Sequence, residues 1–191
     1  MRKCWLYLVG LLVFGSLFIR PPTGLAASNL IIEVMEQDLQ LQMVKPPDFG
    51  RHKIRTERFT ITSKTDLVIQ ITDSRYSKQA GWQLLYQFQP FKKEAQYLAK
   101  DVYYQLGTGK LRKKNQQQWQ VSSQFQSQPF KTKQQQAGNT IVKKTGETDQ
   151  GAISYEYRVK KEDIQLTISP DAAAGLYKAT QIIVLQNVPT I

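Results

Sequence analysis

Residues that could carry out catalysis are few in this chain of 191 residues. His52 is the only histidine, and it lies in a basic, turn-like segment between Gly50 and Lys53. No Gly-x-Ser-x-Gly motif supplies a nucleophile for it. A glycosidase needs only two carboxylates, but none of the 15 acidic residues stands out as a pair. We therefore expect no catalytic residues, with a secreted enzyme as the minor alternative.

Metal and cofactor binding are not predicted either. Cys4 is the only cysteine, and a structural zinc site needs four cysteine or histidine ligands. No loop has the alternating acidic residues around a glycine that bind calcium. The sequence predicts no metal site and no cofactor.

The N-terminus is typical of a secretory signal peptide. Arg2 and Lys3 precede an apolar run from Trp5 to Phe18, which is followed by Arg20, two prolines and small residues. We expect cleavage after Ala26 or Ala27, so that residues 1–27 form the signal peptide. An uncleaved anchor is the alternative, but the run is shorter than the about 20 residues that span a bilayer. Cys4 precedes the apolar run, whereas a cysteine that carries a lipid would have to follow it.

The net charge favours a polyanionic partner. The whole chain has a charge of +11, and removal of Arg2, Lys3 and Arg20 leaves 23 basic and 15 acidic residues, a charge of +8. Long-range attraction then favours polyanions. Export makes nucleic acid a poor candidate and favours wall polymers such as teichoic acids or the carboxylates of peptidoglycan. The alternative is that positive charge only keeps the protein soluble.

Residues of alternating polarity predict the elements that position any site. Two-residue alternation is typical of half-buried strands, and it is clearest in Trp82, Leu84, Tyr86 and Phe88. The same alternation recurs in the segments 39–43, 59–61, 67–71, 153–159, 164–168 and 182–185. Many short strands separated by turn residues predict an all-β fold, a single-domain antiparallel β-sandwich or a barrel-like, immunoglobulin-like sandwich.

Two segments have less certain structures. Residues 92–104 have apolar positions that fit a helix or a strand. Residues 110–137 begin with a cluster of lysines and an arginine and continue as a glutamine-rich stretch, which predicts a basic, solvent-facing insertion. Its aromatic residues, among them Trp119 and Phe130, indicate that parts of it pack, for example as a hairpin.

Ordered motifs run along the chain, namely Pro47 to Gly50, Leu67 to Arg75, Gly81-Trp82-Gln83-Leu84, residues 166–180 and Ile183-Val184-Leu185. Together they resemble the motifs of the WxL domain family of Gram-positive surface proteins. Pro47 to Gly50 is similar to a conserved Phe-Gly segment of that family, and Leu67 to Arg75 resembles its strand ending in Asp-x-Arg. Gly81-Trp82-Gln83-Leu84 then resembles its first Trp-x-Leu motif. Towards the C-terminus, residues 166–180 match again and lead to Ile183-Val184-Leu185, where the family has its second Trp-x-Leu. Isoleucine replaces tryptophan there, so this second motif is degenerate.

The resemblance implies a fold and a function. It covers residues 28–191 and implies non-covalent attachment to the cell wall through peptidoglycan, with companion surface proteins as further partners. The candidate wall-binding residues are those of the motifs: Trp82, Leu84, Ile183, Leu185, Asp73 and Arg75. The alternative is a structural subunit that binds only a companion protein. A tryptophan on an alternating strand is more often core than ligand platform, and Asp73 with Arg75 fits an Asx-turn or a structural salt bridge.

Overall fold

The fold is described by a computed structural model of residues 38–53, 55–75, 81–89, 91–93, 96–97, 102–115, 118–132, 138–145, 151–170 and 176–188. The predicted signal peptide, residues 1–27, lies outside the described residues. Also outside them are parts of two family motifs, Ala174-Gly175 and Pro189.

Short strands make up nearly all of the regular structure in these residues. In chain order they are β1 (Leu39–Lys45), β2 (Phe59–Thr62), β3 (Leu67–Asp73), β4 (Gly81–Phe88), β5 (Lys92–Lys93), β6 (Gln96–Tyr97), β7 (Tyr103–Leu106), β8 (Lys110–Asn115), β9 (Gln118–Val121), β10 (Phe125–Ser127), β11 (Phe130–Thr132), β12 (Asn139–Lys144), β13 (Ile153–Val159), β14 (Ile164–Ile168) and β15 (Gln181–Val188). A 3-10 helix, Lys161–Asp163, joins β13 to β14.

The strands form three larger antiparallel sheets and one small one. The five-stranded sheet has the order β1-β3-β13-β8-β9, the central sheet β10-β12-β4-β15 and the lateral sheet β11-β7-β14-β2, while β5 and β6 pair with each other. Each of the larger sheets is open, with two edge strands. The predicted all-β antiparallel fold is confirmed, and the packing of its sheets is that of a sandwich.

Aromatic side chains join the central sheet to both of its neighbours. Trp82 of β4 meets Tyr155 of β13 edge-to-face, with ring centres 5.5 Å apart. Phe88 of β4 stacks on Tyr104 of β7 with ring centres 4.2 Å apart. Because the inward residues of all three sheets belong to one buried cluster, removal of their apolar surface from water stabilises the sheets together.

The ambiguous segment at residues 92–104 is described at residues 92–93, 96–97 and 102–104, and all of these except Val102 lie in strands. Lys92–Lys93 pairs with Gln96–Tyr97, and β7 begins at Tyr103. Strand structure prevails because Tyr104 and Leu106 both point into the core, a two-residue spacing that a helix does not place on one face.

The glutamine-rich segment, residues 110–137, contributes strands to all three larger sheets. Strands β8 and β9 form the predicted hairpin, which lies at the edge of the five-stranded sheet. Strands β10 and β11 belong to the central and lateral sheets. Leu111 and Phe130 are buried, whereas every residue of β9 is exposed. The described part of this segment is therefore solvent-facing in places, as predicted, and completes the core in others.

No helix in the described part of the chain is long and apolar enough to cross a membrane.

Candidate functional site

The two motif strands lie side by side. Strand β4, with the Trp-x-Leu motif, pairs along its length with β15, which has the degenerate motif. Leu84 is opposite Leu185 and Tyr86 is opposite Ile183. Trp82, Leu84, Ile183 and Leu185 thus lie on two paired strands, and all four side chains are buried in the core.

Trp82 is fully enclosed. Its ring meets Tyr155, and the neighbouring strand β12 places Lys144 opposite it. The indole N–H has no hydrogen-bond partner among the described residues. Since the side chain is 0% exposed, the large apolar area of the indole stabilises the fold, and its ring offers no face to a ligand.

Lys144 is a buried cation beside this tryptophan. Its Nζ donates a hydrogen bond of 2.8 Å to the carbonyl oxygen of Thr145 and lies 5.2 Å from the centre of the Tyr155 ring. Two adjacent lysines are usually both solvated. Lys143 is exposed, but Lys144 is buried. Alternation along β12 turns Lys144 inward, where a carbonyl and an aromatic face compensate in part for lost hydration.

Gly81, just before the tryptophan, allows two strands to approach closely. A Cβ atom at this position would collide with the backbone carbonyl oxygen of Lys144 on β12. Backbone atoms cannot move aside as a flexible side chain can. Glycine is therefore required there by packing, which explains its place in the Gly-Trp-x-Leu sequence.

Asp73 and Arg75 form a buried, bidentate ion pair. Arg75 Nε donates to Asp73 Oδ1 over 2.9 Å, and Arg75 Nη2 donates to Asp73 Oδ2 over 2.8 Å. The Arg75 backbone N–H also donates to Asp73 Oδ1 over 3.3 Å, so the predicted Asx-turn and the predicted salt bridge occur together.

The same arginine ties the end of β3 to the motif strands. Its Nη1 donates to Asn187 Oδ1 on β15 over 2.7 Å and lies 3.5 Å from the carbonyl oxygen of Gly81. Asn187 is opposite Trp82 in the β4–β15 pair. Bidentate geometry fixes orientation as well as adding energy, so Arg75 sets the position of both strands where the first motif begins.

A groove that the sequence did not point to lies on the lateral sheet. Its volume is about 230 Å³ and its lining residues are Tyr103, Gln105, Lys131, Gln165 and Thr167. We call it the lateral groove. Each lining residue alternates with a buried neighbour such as Tyr104 or Leu166, so the groove is on the outer side of the sheet.

Cross-strand register lines up the polar groups of this groove. Gln165 of β14 is opposite Thr62 on one side and Gln105 on the other, and Gln105 is opposite Lys131. In the next row Thr60 and Thr167 share a hydrogen bond of 2.9 Å between their hydroxyls. The only sign of this groove in the sequence is the alternation of residues 60–62, 103–105 and 165–167. That alternation predicts exposed polar residues on each strand but does not reveal which strands are neighbours.

The hydroxyl groups of Tyr86, Tyr104 and Tyr157 are buried and have raised pKa values. Burial raises the pKa of Tyr86, which is raised further by the adjacent Tyr104. Burial also raises the pKa of Tyr104 and of Tyr157, although hydrogen bonds to Tyr86 and to Ser127 and Gly109 respectively act in the opposite direction. Such shifts can mark reactive groups, but these hydroxyls are paired with one another or with the chain and have structural roles.

Within the described ranges, no group of three or more histidine, cysteine, aspartate or glutamate side chains is placed to hold a metal ion.

The fold and motifs define an all-β domain whose motif residues are internal. Residues 33–189 match the WxL family, described as a WxL domain that is surface cell wall-binding. The match covers nearly the whole chain, and the protein belongs to the WxL family. Comparison with curated proteins and with solved structures gives no match.

Family membership indicates where the protein acts. WxL domains are surface cell wall-binding domains, which assigns this chain to the cell surface or wall. The family is a non-enzymatic one.

Proposed function

We propose that this protein attaches directly and non-covalently to peptidoglycan, and that the lateral groove receives the glycan. The single observation that carries this proposal is the chemistry of the groove. Two glutamine amides, a threonine hydroxyl, a lysine and a tyrosine ring line one open surface. Amides and hydroxyls both donate and accept hydrogen bonds, as the hydroxyl and acetamido groups of wall sugars require.

The dimensions of the groove support a glycan strand. The row Thr62, Gln165, Gln105 and Lys131 crosses four neighbouring strands, which extends about 14 Å at the usual strand spacing. That length suits a short oligosaccharide lying across the sheet. Tyr103 stands beside this row with the Arg58 guanidinium 5.7 Å from the centre of its ring, so the flank of the row is aromatic and cationic. Lys131 would pair with an acidic substituent.

The motif residues contribute to wall binding only indirectly. Trp82, Leu84, Ile183 and Leu185 are buried, and Asp73 and Arg75 are occupied with each other. We propose that all six act as positioning residues, which hold the central sheet against the five-stranded sheet. The central sheet in turn packs on the lateral sheet through Phe88 and Tyr104. An isoleucine at position 183 is compatible with that role, because a packing position accepts another apolar side chain more readily than a sugar-stacking position does.

Co-sedimentation with peptidoglycan stripped of teichoic acid tests the proposal. The protein without residues 1–27 should sediment with the polymer and release no soluble fragments from it. A Tyr103→Ala, Gln105→Ala variant should lose most of the binding. Gln42→Ala is the matched control, since Gln42 is also an exposed strand glutamine. This control variant should bind peptidoglycan as the parent does.

Failure of the parent protein to sediment would overturn direct peptidoglycan attachment. Parent-like binding by a folded groove variant would overturn the lateral groove as the site. Release of fragments would show that the protein is an enzyme.

Binding to a companion surface protein is the second candidate function, and strand β9 favours it. It is an edge strand of the five-stranded sheet, and each of its residues is exposed. An edge strand leaves backbone groups available for pairing with a strand of another protein. A protein held in this way would stay on intact cells in high salt and would be lost from cells that lack the companion.

A further inference from the structure

A second exposed surface has chemistry unlike that of the lateral groove. It is the outer side of the β8–β9 hairpin, which we call the hairpin face, and its members are Lys110, Arg112, Lys114, Trp119 and Val121. Leu111, between the first two cations, is buried, so the cations alternate with inward residues and share the outer side. The cross-strand pairs are Lys114 with Trp119 and Arg112 with Val121.

The cations of this face are regularly spaced. Three positive residues at every second position of one strand lie about 6.6 Å apart along the strand axis, as strand geometry sets the rise. A linear polymer with one negative charge per repeat can contact such a row repeatedly. A single small anion would use only one or two of the positions.

The cations are free to bind an external anion. Among the described residues, neither Lys110, Arg112 nor Lys114 forms a salt bridge with a carboxylate. The nearest acidic residue in register is Glu156, opposite Arg112. Its carboxylate is only 3.0 Å from the guanidinium of Arg158 and is buried, so Arg158 offsets most of its charge.

Exposed apolar side chains lie next to this row. Trp119 is 36% exposed and Val121 is 67% exposed. Leaving such area in water is unfavourable, and an aromatic ring flanked by cations suits a ligand that is anionic and has apolar C–H groups. A chain of polyol or sugar units joined by phosphates has both properties, because the phosphates pair with lysine and arginine and the carbon skeleton packs on the indole.

We infer that the hairpin face binds a linear phosphodiester polymer linked to the cell wall, the chemistry of wall teichoic acid. This inference goes beyond peptidoglycan attachment and uses different residues. The protein then has two contacts with the wall: the lateral groove for the glycan and the hairpin face for the anionic polymer that the glycan carries.

The test compares two wall preparations, one retaining its phosphodiester polymer and one chemically stripped of it. The parent should bind the polymer-bearing wall more tightly, and high salt should abolish the difference because exposed charges are screened. A Lys110→Gln, Arg112→Gln, Lys114→Gln variant should bind the polymer-bearing wall at least about tenfold more weakly, on the basis of the usual contribution of a basic residue near an anionic surface.

A charge-matched control separates a local site from net charge. Lys45→Gln, Lys53→Gln, Lys160→Gln removes the same charge from exposed positions outside the hairpin and should leave binding within about twofold of the parent. Trp119→Ala, with the charges intact, should weaken binding while keeping its salt dependence. Circular dichroism and thermal unfolding establish that each variant is folded.

Three results would overturn the inference. One is equal binding of the parent to both wall preparations at low salt. Another is equal weakening by the hairpin variant and the charge-matched control, which would attribute the effect to net charge. The third is polymer-dependent binding that Trp119→Ala and the hairpin variant both leave unchanged. Binding to stripped peptidoglycan is measured separately and tests only the lateral groove. A negative result for the hairpin face can therefore be distinguished from a negative result for the lateral groove.

Discussion

Trp82 and Trp119 lie in strands of different sheets and meet opposite environments. Trp82 is 0% exposed and packs on Tyr155 between the central and five-stranded sheets. Trp119 is 36% exposed, on an edge strand beside Lys114. The first belongs to the motif that marks the family, and the second belongs to a glutamine-rich segment of low sequence complexity.

This comparison shows that the residues that resemble the family motifs are not the ones that can contact a ligand. The Gly81-Trp82 sequence, the Asp73–Arg75 ion pair and Asn187 form one connected, internal arrangement. Those that belong to the motifs carry the resemblance to the family, and their contacts are internal to the fold. The surfaces that can touch a polymer are built from exposed tyrosine, glutamine, lysine and tryptophan side chains, whose types are common and whose placement depends on strand register.

The stability of the two tryptophan variants should differ most. Trp82→Ala removes a fully buried indole and leaves a cavity, which should lower the free energy of unfolding by about 3–5 kcal/mol. Trp119→Ala, at a partly exposed site, should change it by less than about 0.5 kcal/mol. Chemical denaturation of both variants measures the two changes, and similar losses would refute the contrast.

The Asp73–Arg75 ion pair should be nearly as important as Trp82. Arg75→Ala leaves the Asp73 carboxylate buried without its guanidinium partner, which should cost about 3 kcal/mol. The matched control is Lys161→Ala, since the side chains of Lys161 and its partner Glu162 are 51% and 64% exposed and loss of this surface pair should cost less than about 1 kcal/mol. Urea unfolding curves measure the loss in free energy of unfolding for both variants. A loss for Arg75→Ala no larger than that of the control would show that the buried ion pair does not stabilise the fold.

Restoring the second tryptophan tests the packing account of the degenerate motif. Ile183 is almost fully buried opposite Tyr86, so Ile183→Trp inserts a larger ring into a filled site. Overpacking should lower stability by about 1–3 kcal/mol, as measured by denaturant unfolding. Ile183→Val serves as the conservative control. A gain in wall binding by a folded Ile183→Trp variant would instead indicate a direct ligand role for this position.

Alkaline pH should destabilise the core through its tyrosines. Burial raises the pKa of Tyr86, Tyr104 and Tyr157 in the folded state, while the unfolded chain ionises near its ordinary value of 10.0. The unfolded state therefore binds fewer protons above that pH. Stability should be at its full value below about pH 10 and fall as the pH rises further. Thermal unfolding as a function of pH measures the fall, which Tyr157→Phe should reduce; a flat profile to pH 11 would contradict it.

Local patterns were sufficient to predict the strands but not their neighbours. The alternation in β3, β4 and β13 predicted strands there, because each buries every second residue against the core. Residues 92–104 were ambiguous because the same apolar positions fit both periods, and only tertiary packing of Tyr104 and Leu106 decides between them. Lys144 looked like half of a solvated pair, since the sequence does not show that β12 turns it towards Tyr155.

The candidate sites also differ in how far the sequence could predict them. The six motif residues were identifiable from their order and spacing, but only the structure shows that β4 pairs with β15. The lateral groove was not predictable, because β2, β7, β11 and β14 are far apart along the chain and their register brings together Thr62, Gln165, Gln105 and Lys131. The hairpin was anticipated, but not which of its residues share the outer side.

The most direct test of the central claim compares a core variant and a surface variant in one binding assay. Trp82→Phe keeps an aromatic ring in the core, and the Tyr103→Ala, Gln105→Ala variant alters only the lateral groove. Both folded proteins are titrated with peptidoglycan stripped of teichoic acid, and the bound fraction is measured by sedimentation. We predict parent-like affinity for Trp82→Phe and a large loss for the groove variant. Loss of binding by folded Trp82→Phe, with parent-like binding by the groove variant, would contradict the account.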